Sequence, residues 1–286
     1  LKPNNTISAK ELWTKSVNLL TIYDSQERDS ILNFYFHEKW NISKSSLLFD
    51  QFISWSNEQN QELLLDIKRL ENAEPVQHIV GHTYFLNSKI NVNHHVLIPR
   101  PETEEMVYKI QQAKFPSSIH SILDVCTGSG CIAIELQKHF KEAQVTGIDI
   151  STEALEVAKA NNESNQTKVN FIQDNFLEPK YPFEMYDLIV SNPPYIPASE
   201  KVEMHSNVLQ YEPHLALFVP DDNVLLFYKK LVDLADKHLN NEGWLYAEIH
   251  YLQRKAVLDL CSQYSFSKVI IEKDIFDRDR FLLLTK

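Results

Sequence analysis

The sequence predicts an α/β fold built on a seven-stranded, mostly parallel sheet, and three observations carry that expectation. From about residue 102 onward, strand-like apolar runs alternate with helical stretches, the pattern of parallel strands covered on both faces. The last two strand-like runs are joined by too few residues for a helical crossover, so they should pair antiparallel. A glycine-containing turn follows directly on the first strand of the alternating region, where open α/β sheets bind their ligands. Composition agrees, since the 286 residues are 43% hydrophobic and 23% charged, as in ordinary globular chains and unlike disordered or fibrous ones.

Taken in order, residues 1–75 read as helical throughout. Ser8 with Glu11, Asp24 with Glu27 and Ser56 with Gln59 have capping-box spacing, each ahead of an apolar-periodic run. Pro75 closes the third helix. This bundle holds no catalytic constellation and is expected to serve substrate docking or simple packing. Residues 76–95 form a linker, in which HTYFLNSKINVN of 82–93 alternates about Asn87-Ser88 as a short β-hairpin. Residues 96–286 make the α/β domain, with strands expected near 121–125, 144–149, 168–173, 186–191, 243–249, 267–273 and 279–285. Five parallel strands closed by an antiparallel end outline a nucleotide-type domain.

Composition also excludes function classes. With 28 Lys+Arg against 39 Asp+Glu the net charge is −11, which disfavours a sequence-independent grip on nucleic acid. No apolar run approaches the roughly 20 residues of a membrane span, and the polar N-terminal stretch has no signal-peptide pattern, so a cytoplasmic chain without a membrane partner is expected. Cys126, Cys131 and Cys261 form no CxxC pair, against a disulfide framework or zinc site. His78 and His82 are four apart and His94 and His95 adjacent, but Pro75 and Gly81 argue against a helix there, so no metal site is expected. Glycine is scarce, with five residues where about 7% usage is the norm.

The motifs carry the chemistry. In SILDVCTGSGCIAI of 121–134, a strand ends, Gly128 and Gly130 make a tight turn, and a helix starts. This is either a plain βα turn or a cofactor site. Two of five glycines in one turn favour the cofactor. The second strand ends in Gly147-Ile148-Asp149, an acidic position suited to ribose hydroxyls. Both NAD and S-adenosylmethionine have such a ribose, but Ala133 stands where a dinucleotide motif needs its third glycine. Asp174, Asn175 and Phe176 follow the third strand, either to meet an adenine or as a solvated turn. After the fourth strand comes Ser191-Asn192-Pro193-Pro194-Tyr195. Two prolines fix φ and withhold two donors, so the Asn192 side-chain oxygen and the Pro193 carbonyl can grip both hydrogens of a planar NH2 group, with Tyr195 against its face.

These residues resemble the class I S-adenosylmethionine-dependent methyltransferases that act on planar nitrogen, a set covering adenine in DNA, guanine in ribosomal RNA and glutamine in proteins. Further stretches narrow the resemblance: IPRPETE at 98–104, VLQYEPHLALF at 208–218, WLYAEIHYLQ at 244–253 and DRDRFLLL at 277–284. They are similar to the protein-(glutamine-N5) methyltransferases of peptide chain release factors. The resemblance implies a Rossmann-like methyltransferase sheet and S-adenosyl-L-methionine as donor, leaving S-adenosyl-L-homocysteine. It places the donor on Cys126, Thr127, Gly128, Ser129, Gly130, Asp149, Asp174, Asn175 and Asn192. Catalysis falls to Asn192, Pro193 and Tyr195, and the substrate amide to these and Pro194. A release factor is the implied partner of a monomer, with adenine-N6 or guanine-N2 methylation of nucleic acid as the alternative. Cys126, Asp221-Asp222-Asn223 and His250 depart from glycines usual in the family. Arg100, Glu102 and Glu104 either contact substrate or cap the following helix.

Overall fold

A computed structural model describes residues 6–286. Contacts divide the chain into two units, one reaching to Gly81 and taking in His205–Tyr211, the other made of His82–Met204 and Glu212–Lys286.

The first unit contains β1 (Thr6–Ser8), α1 (Ala9–Leu19), α2 (Ser25–Trp40), α3 (Lys44–Leu48), β2 (Phe52–Ser54), α4 (Asn57–Glu71) and α5 (Val76–Val80). The three caps form where the spacing predicts them: Ser8 Oγ accepts from Glu11 N–H, Asp24 from Gln26 and Glu27, and Ser56 with Gln59 makes a complete capping box. Leu12, Leu32, Tyr35, Phe36, Leu63 and Leu70 form its buried core. The expectation of helix throughout is corrected twice. β1 and β2 pair antiparallel, and Pro75 heads α5 instead of closing α4, whose cap is Asn72. Proline is as well suited to starting a helix as to ending one, because the first N–H groups have no helical partner. A helical turn therefore does exist at 76–80, against the sequence expectation.

The second unit opens with a hairpin, β3 (His82–Phe85) and β4 (Ser88–Asn91), turning at Leu86-Asn87, one residue earlier than the alternation suggested. Next come α6 (Pro101–Gln112), β5 (Ser121–Val125), α7 (Cys131–His139), β6 (Gln144–Asp149), α8 (Thr152–Ser164), β7 (Asn170–Gln173) and β8 (Tyr186–Ser191). Beyond these lie β9 (Ile196–Pro197), α9 (Ser206–Tyr211, which belongs to the first unit), β10 (Phe218–Val219), α10 (Leu226–His238), β11 (Leu239–Glu248), α11 (Arg254–Cys261), β12 (Lys268–Lys273) and β13 (Asp279–Thr285). The sheet order is β12-β13-β11-β8-β5-β6-β7. β5, β6, β7, β8 and β11 run parallel, while β13 lies antiparallel between β11 and β12. The reversed strand is thus one in from the edge. β11 starts four residues before the expected 243 and carries an irregularity between Leu239 and Trp244.

Two buried clusters cover the sheet's faces, one with Met106, Ile134 and Leu188, the other with Leu123, Ile189, Leu231 and Leu282. Chain order reverses about β5: β6 lies on one side and β8 on the other. A crevice opens at such a switch point, beyond the carboxyl ends of the strands.

Asn161 of α8, fully buried, ties the hairpin to that crevice. Its Oδ1 accepts from Asn91 N–H at 2.7 Å, and its Nδ2 donates to the carbonyls of Asn91 and Ser129, each at 3.0 Å. Asn161→Leu removes all three bonds and strands their partners, so it should lower unfolding free energy by about 2–4 kcal/mol, read as a fall in denaturant midpoint with the m-value unchanged.

Candidate active site

The loops after β5, β6, β7 and β8 surround one cavity, closed on another side by residues 94–103 and 213–216. Cys126, Thr127, Gly128, Ser129, Asp149, Asp174, Asn175, Asn192 and Pro194 all reach its wall. Gly130, Pro193 and Tyr195 do not. Gly130 is the N-cap of α7 at φ +78°, and a Cβ there would stand 2.8 Å from the Phe171 ring. Its role is to let the turn reverse while β7 packs beneath it.

Each strand end is tied to its neighbour. Thr127 N–H donates to the Ile148 carbonyl, Asp174 N–H to the Asp149 carbonyl, and Ser191 Oγ to the Val125 carbonyl at 2.7 Å. Asp149 Oδ2 accepts from Gly128 N–H at 2.8 Å and Oδ1 from Ser151 N–H at 3.0 Å. A carboxylate has about four acceptor sites, so Asp149 keeps capacity for two ligand hydroxyls. Burial pushes its pKa up. Asp174 is spent differently. Its oxygens take the backbone N–H groups of Asn175, Lys180 and Tyr181, which closes the 174–181 loop and leaves little capacity for an adenine amino group.

Among the departures from family glycines, only Cys126 sits in the left-handed region, at φ 61°. His250 has φ −65° and Asp221–Asn223 form a single 3-10 turn, conformations open to any residue. Burial, with Asp149 and Asp124 nearby, pushes the Cys126 thiol well up, so it stays protonated and unreactive.

The Asn192-Pro193-Pro194-Tyr195 segment leaves β8 with its asparagine anchored. Asn192 Nδ2 donates to Thr103 Oγ1 at 2.9 Å, and Thr103, 3% exposed, lies in the first turn of α6. Pro193 is buried beneath the loop. The Tyr195 ring packs into the core edge-on to His250, with centroids 6.1 Å apart, and His250 Nε2 is 3.1 Å from Glu200 Oε2. Arg100 pairs with Glu212, which is 5% exposed and also accepts from Ile98 N–H. That pair fixes the segment lining the cavity. Glu104 accepts from Leu86 N–H, so it braces the hairpin.

Sequence reading missed three polar groups: Asn161, Asp124 and Glu248. Asp124 accepts from Thr127 Oγ1 at 2.5 Å, while its Oδ1 has no partner. Glu248, at the end of β11, is 1% exposed and its Oε1 also has none. A carboxylate at or next to the end of an apolar strand was the available signal at both. Among the described residues no cluster could hold a metal ion.

Burial pushes both Asp124 and Glu248 up to about 7, above the unfolded values near 4. The folded chain therefore keeps protons that the unfolded chain releases, and stability should fall as pH rises between about 5 and 7.5. Thermal melts of the ligand-free protein across this range check the slope, which Asp124→Asn should reduce.

Comparison with known proteins places this geometry in a family. Residues 105–211 match the methyltransferase small domain. The release factor glutamine methyltransferase of Flavobacterium psychrophilum is 39% identical over 267 residues, covering 92% of this chain and 94% of that protein. The one from Bacteroides thetaiotaomicron is 43% identical, covering 78% and 80%. A methyltransferase structure from Pyrococcus furiosus shares the fold, with a TM-score of 0.51, 18% identity, and coverage of 80% of this chain and 98% of that one. The cavity is built from the same loops that carry the sequence motifs, and with the Flavobacterium relative spanning 92% of the chain, the protein belongs to the S-adenosylmethionine-dependent release factor glutamine methyltransferases.

Proposed function

We propose that this chain transfers a methyl group from S-adenosyl-L-methionine to the side-chain amide nitrogen, N5, of the glutamine in the Gly-Gly-Gln motif of a peptide chain release factor. The observation that carries the reading is the anchored Asn192: with Nδ2 held by Thr103, its Oδ1 is the amide's open acceptor at the cavity wall.

The wall fits the donor. Asp149 has acceptor capacity for ribose hydroxyls, Ile150, Phe176 and Leu177 supply apolar surface for a base, and the 126–130 turn presents the backbone of Cys126 to Ser129 to the amino-acid part. Asn175 lies beside this apolar surface. The donor supplies an electrophilic methyl on a sulfonium sulfur. An amide nitrogen is a weak nucleophile because its lone pair is delocalised, so the chain's contribution is positional. Asn192 Oδ1, at the cavity wall, accepts one of the substrate N–H bonds and aims the nitrogen, and the rigid Pro193-Pro194 turn holds that aim. Orientation of this kind lowers a barrier by about 7–11 kcal/mol at best, and the acceptor gains strength as the C–S bond breaks and positive charge grows on nitrogen, which then sheds one N–H proton to solvent. Tyr195, packed against His250, stiffens the turn from behind. The first unit, as the part outside the sheet, is the docking module for the protein substrate.

Asn192→Ala should cut turnover about 10²-fold or more, measured with labelled donor and purified release factor. Asp149→Ala should weaken donor binding by about 1.5–3 kcal/mol in calorimetry. The reading itself is tested by offering the labelled donor to release factor, to a variant with the motif glutamine changed to alanine, and to DNA and RNA. Label is expected in the first alone, and label in nucleic acid but not in release factor overturns it.

A further inference from the structure

Asn192 is held at the end of a buried chain of three polar groups. Its Nδ2 donates to Thr103 Oγ1 at 2.9 Å, and the Thr103 side chain also faces the Glu248 carboxylate. Thr103 is 3% and Glu248 1% exposed, so neither exchanges its partner for water. The three come from α6, the segment after β8, and the end of β11.

Direction in this chain is set by proton counting. A threonine hydroxyl has one proton and can accept from other donors. When Glu248 is ionised it can only accept, so Thr103 gives it that proton. Thr103 Oγ1 is then purely an acceptor towards Asn192, which must present Nδ2 to it and turn Oδ1 away. When Glu248 is protonated its own O–H can donate to Oγ1, releasing the threonine proton for Asn192 Oδ1. The asparagine amide then reverses and offers N–H to an incoming N–H, two donors facing each other.

We propose that Thr103 and Glu248 are positioning residues for methyl transfer, the carboxylate of Glu248 fixing through Thr103 which end of the Asn192 amide meets the substrate nitrogen. This rests on the reading of Asn192 as the acceptor for the substrate amide. Burial and Glu102 raise the pKa of Glu248, to about 7, against the pull of Thr103, Arg280 and Arg100. Tyr195, Tyr228 and Cys131 are the other titratable groups that feel it. The competent orientation is therefore gained as pH rises through about 7.

The test measures kcat and KM for release factor from about pH 6 to 8.5, with donor affinity followed separately by calorimetry and folding by thermal melts. Wild-type kcat should rise through about pH 7. Thr103→Val, nearly isosteric, should lower kcat about tenfold with donor affinity unchanged, and Thr103→Ser should restore it to within about threefold. Glu248→Gln should flatten the rise. Thr103→Val at wild-type kcat, or a Glu248→Gln profile that still rises, overturns the proposal. Asn192→Ala separates the two levels: if it alone loses turnover, the orienting chain is wrong and the acceptor role stands, whereas if it keeps turnover both fail.

Discussion

The carboxyl edge of the parallel sheet is the constraint on which the rest depends. Where a strand leaves its ladder, its last N–H and C=O groups lose their strand partners and must find others. Here they find one another: Thr127 on Ile148, Asp174 on Asp149, Gly128 on the Asp149 side chain, and Ser191 on Val125. Satisfying the edge draws four loops inward around one space. The cavity is the geometric result of that pairing, and the residues that line it are held by backbone bonds as much as by packing.

The same edge gathers acid. Asp149 and Glu248 close β6 and β11, Asp124 is the penultimate residue of β5, and burial raises the pKa of all three. Their uses differ with their surroundings. Asp149 reaches the cavity with acceptor capacity left over. Asp124 lies behind the turn, where it holds Thr127, and Glu248 lies behind Asn192 through Thr103. Buried, incompletely paired carboxylates cost stability, and their position beside a ligand cavity is where such costs are ordinarily tolerated for function.

Much of this was legible because the signals were local. Strands β5, β6, β8 and β13 fall at the expected residues, since a strand buried on both faces reads as an apolar run whether its neighbours are parallel or, for β13, antiparallel. The three helix caps were legible for the same reason, each being a contact across two or three residues. What failed was context. Thr6–Ser8 and Phe52–Ser54 are strands because they meet each other across the chain, and nothing within either triplet says so. Pro75 was ambiguous because proline both starts and ends helices. Asp174 matched the position of a base-binding carboxylate, but residues 180 and 181 return to occupy it, a closure that spacing does not reveal. Tyr195 was placed beside the substrate by adjacency, while its ring turns into the core.

By itself the sequence determined the fold class, the order of the strands along the chain, the turn at Gly128 and Gly130, and the Asn192-Pro193-Pro194-Tyr195 segment, because periodicity, glycine and proline act on the backbone within a few residues. Tertiary structure decided which end of the Asn192 amide is open, where β13 enters the sheet, and which missing glycines matter. Those depend on partners 89 residues away at Thr103, on pairing between β11 and β13, and on the φ angle that packing imposes at Cys126. Hydrogen-bond direction in a buried chain is a property of its members together, and only the fold brings them within reach.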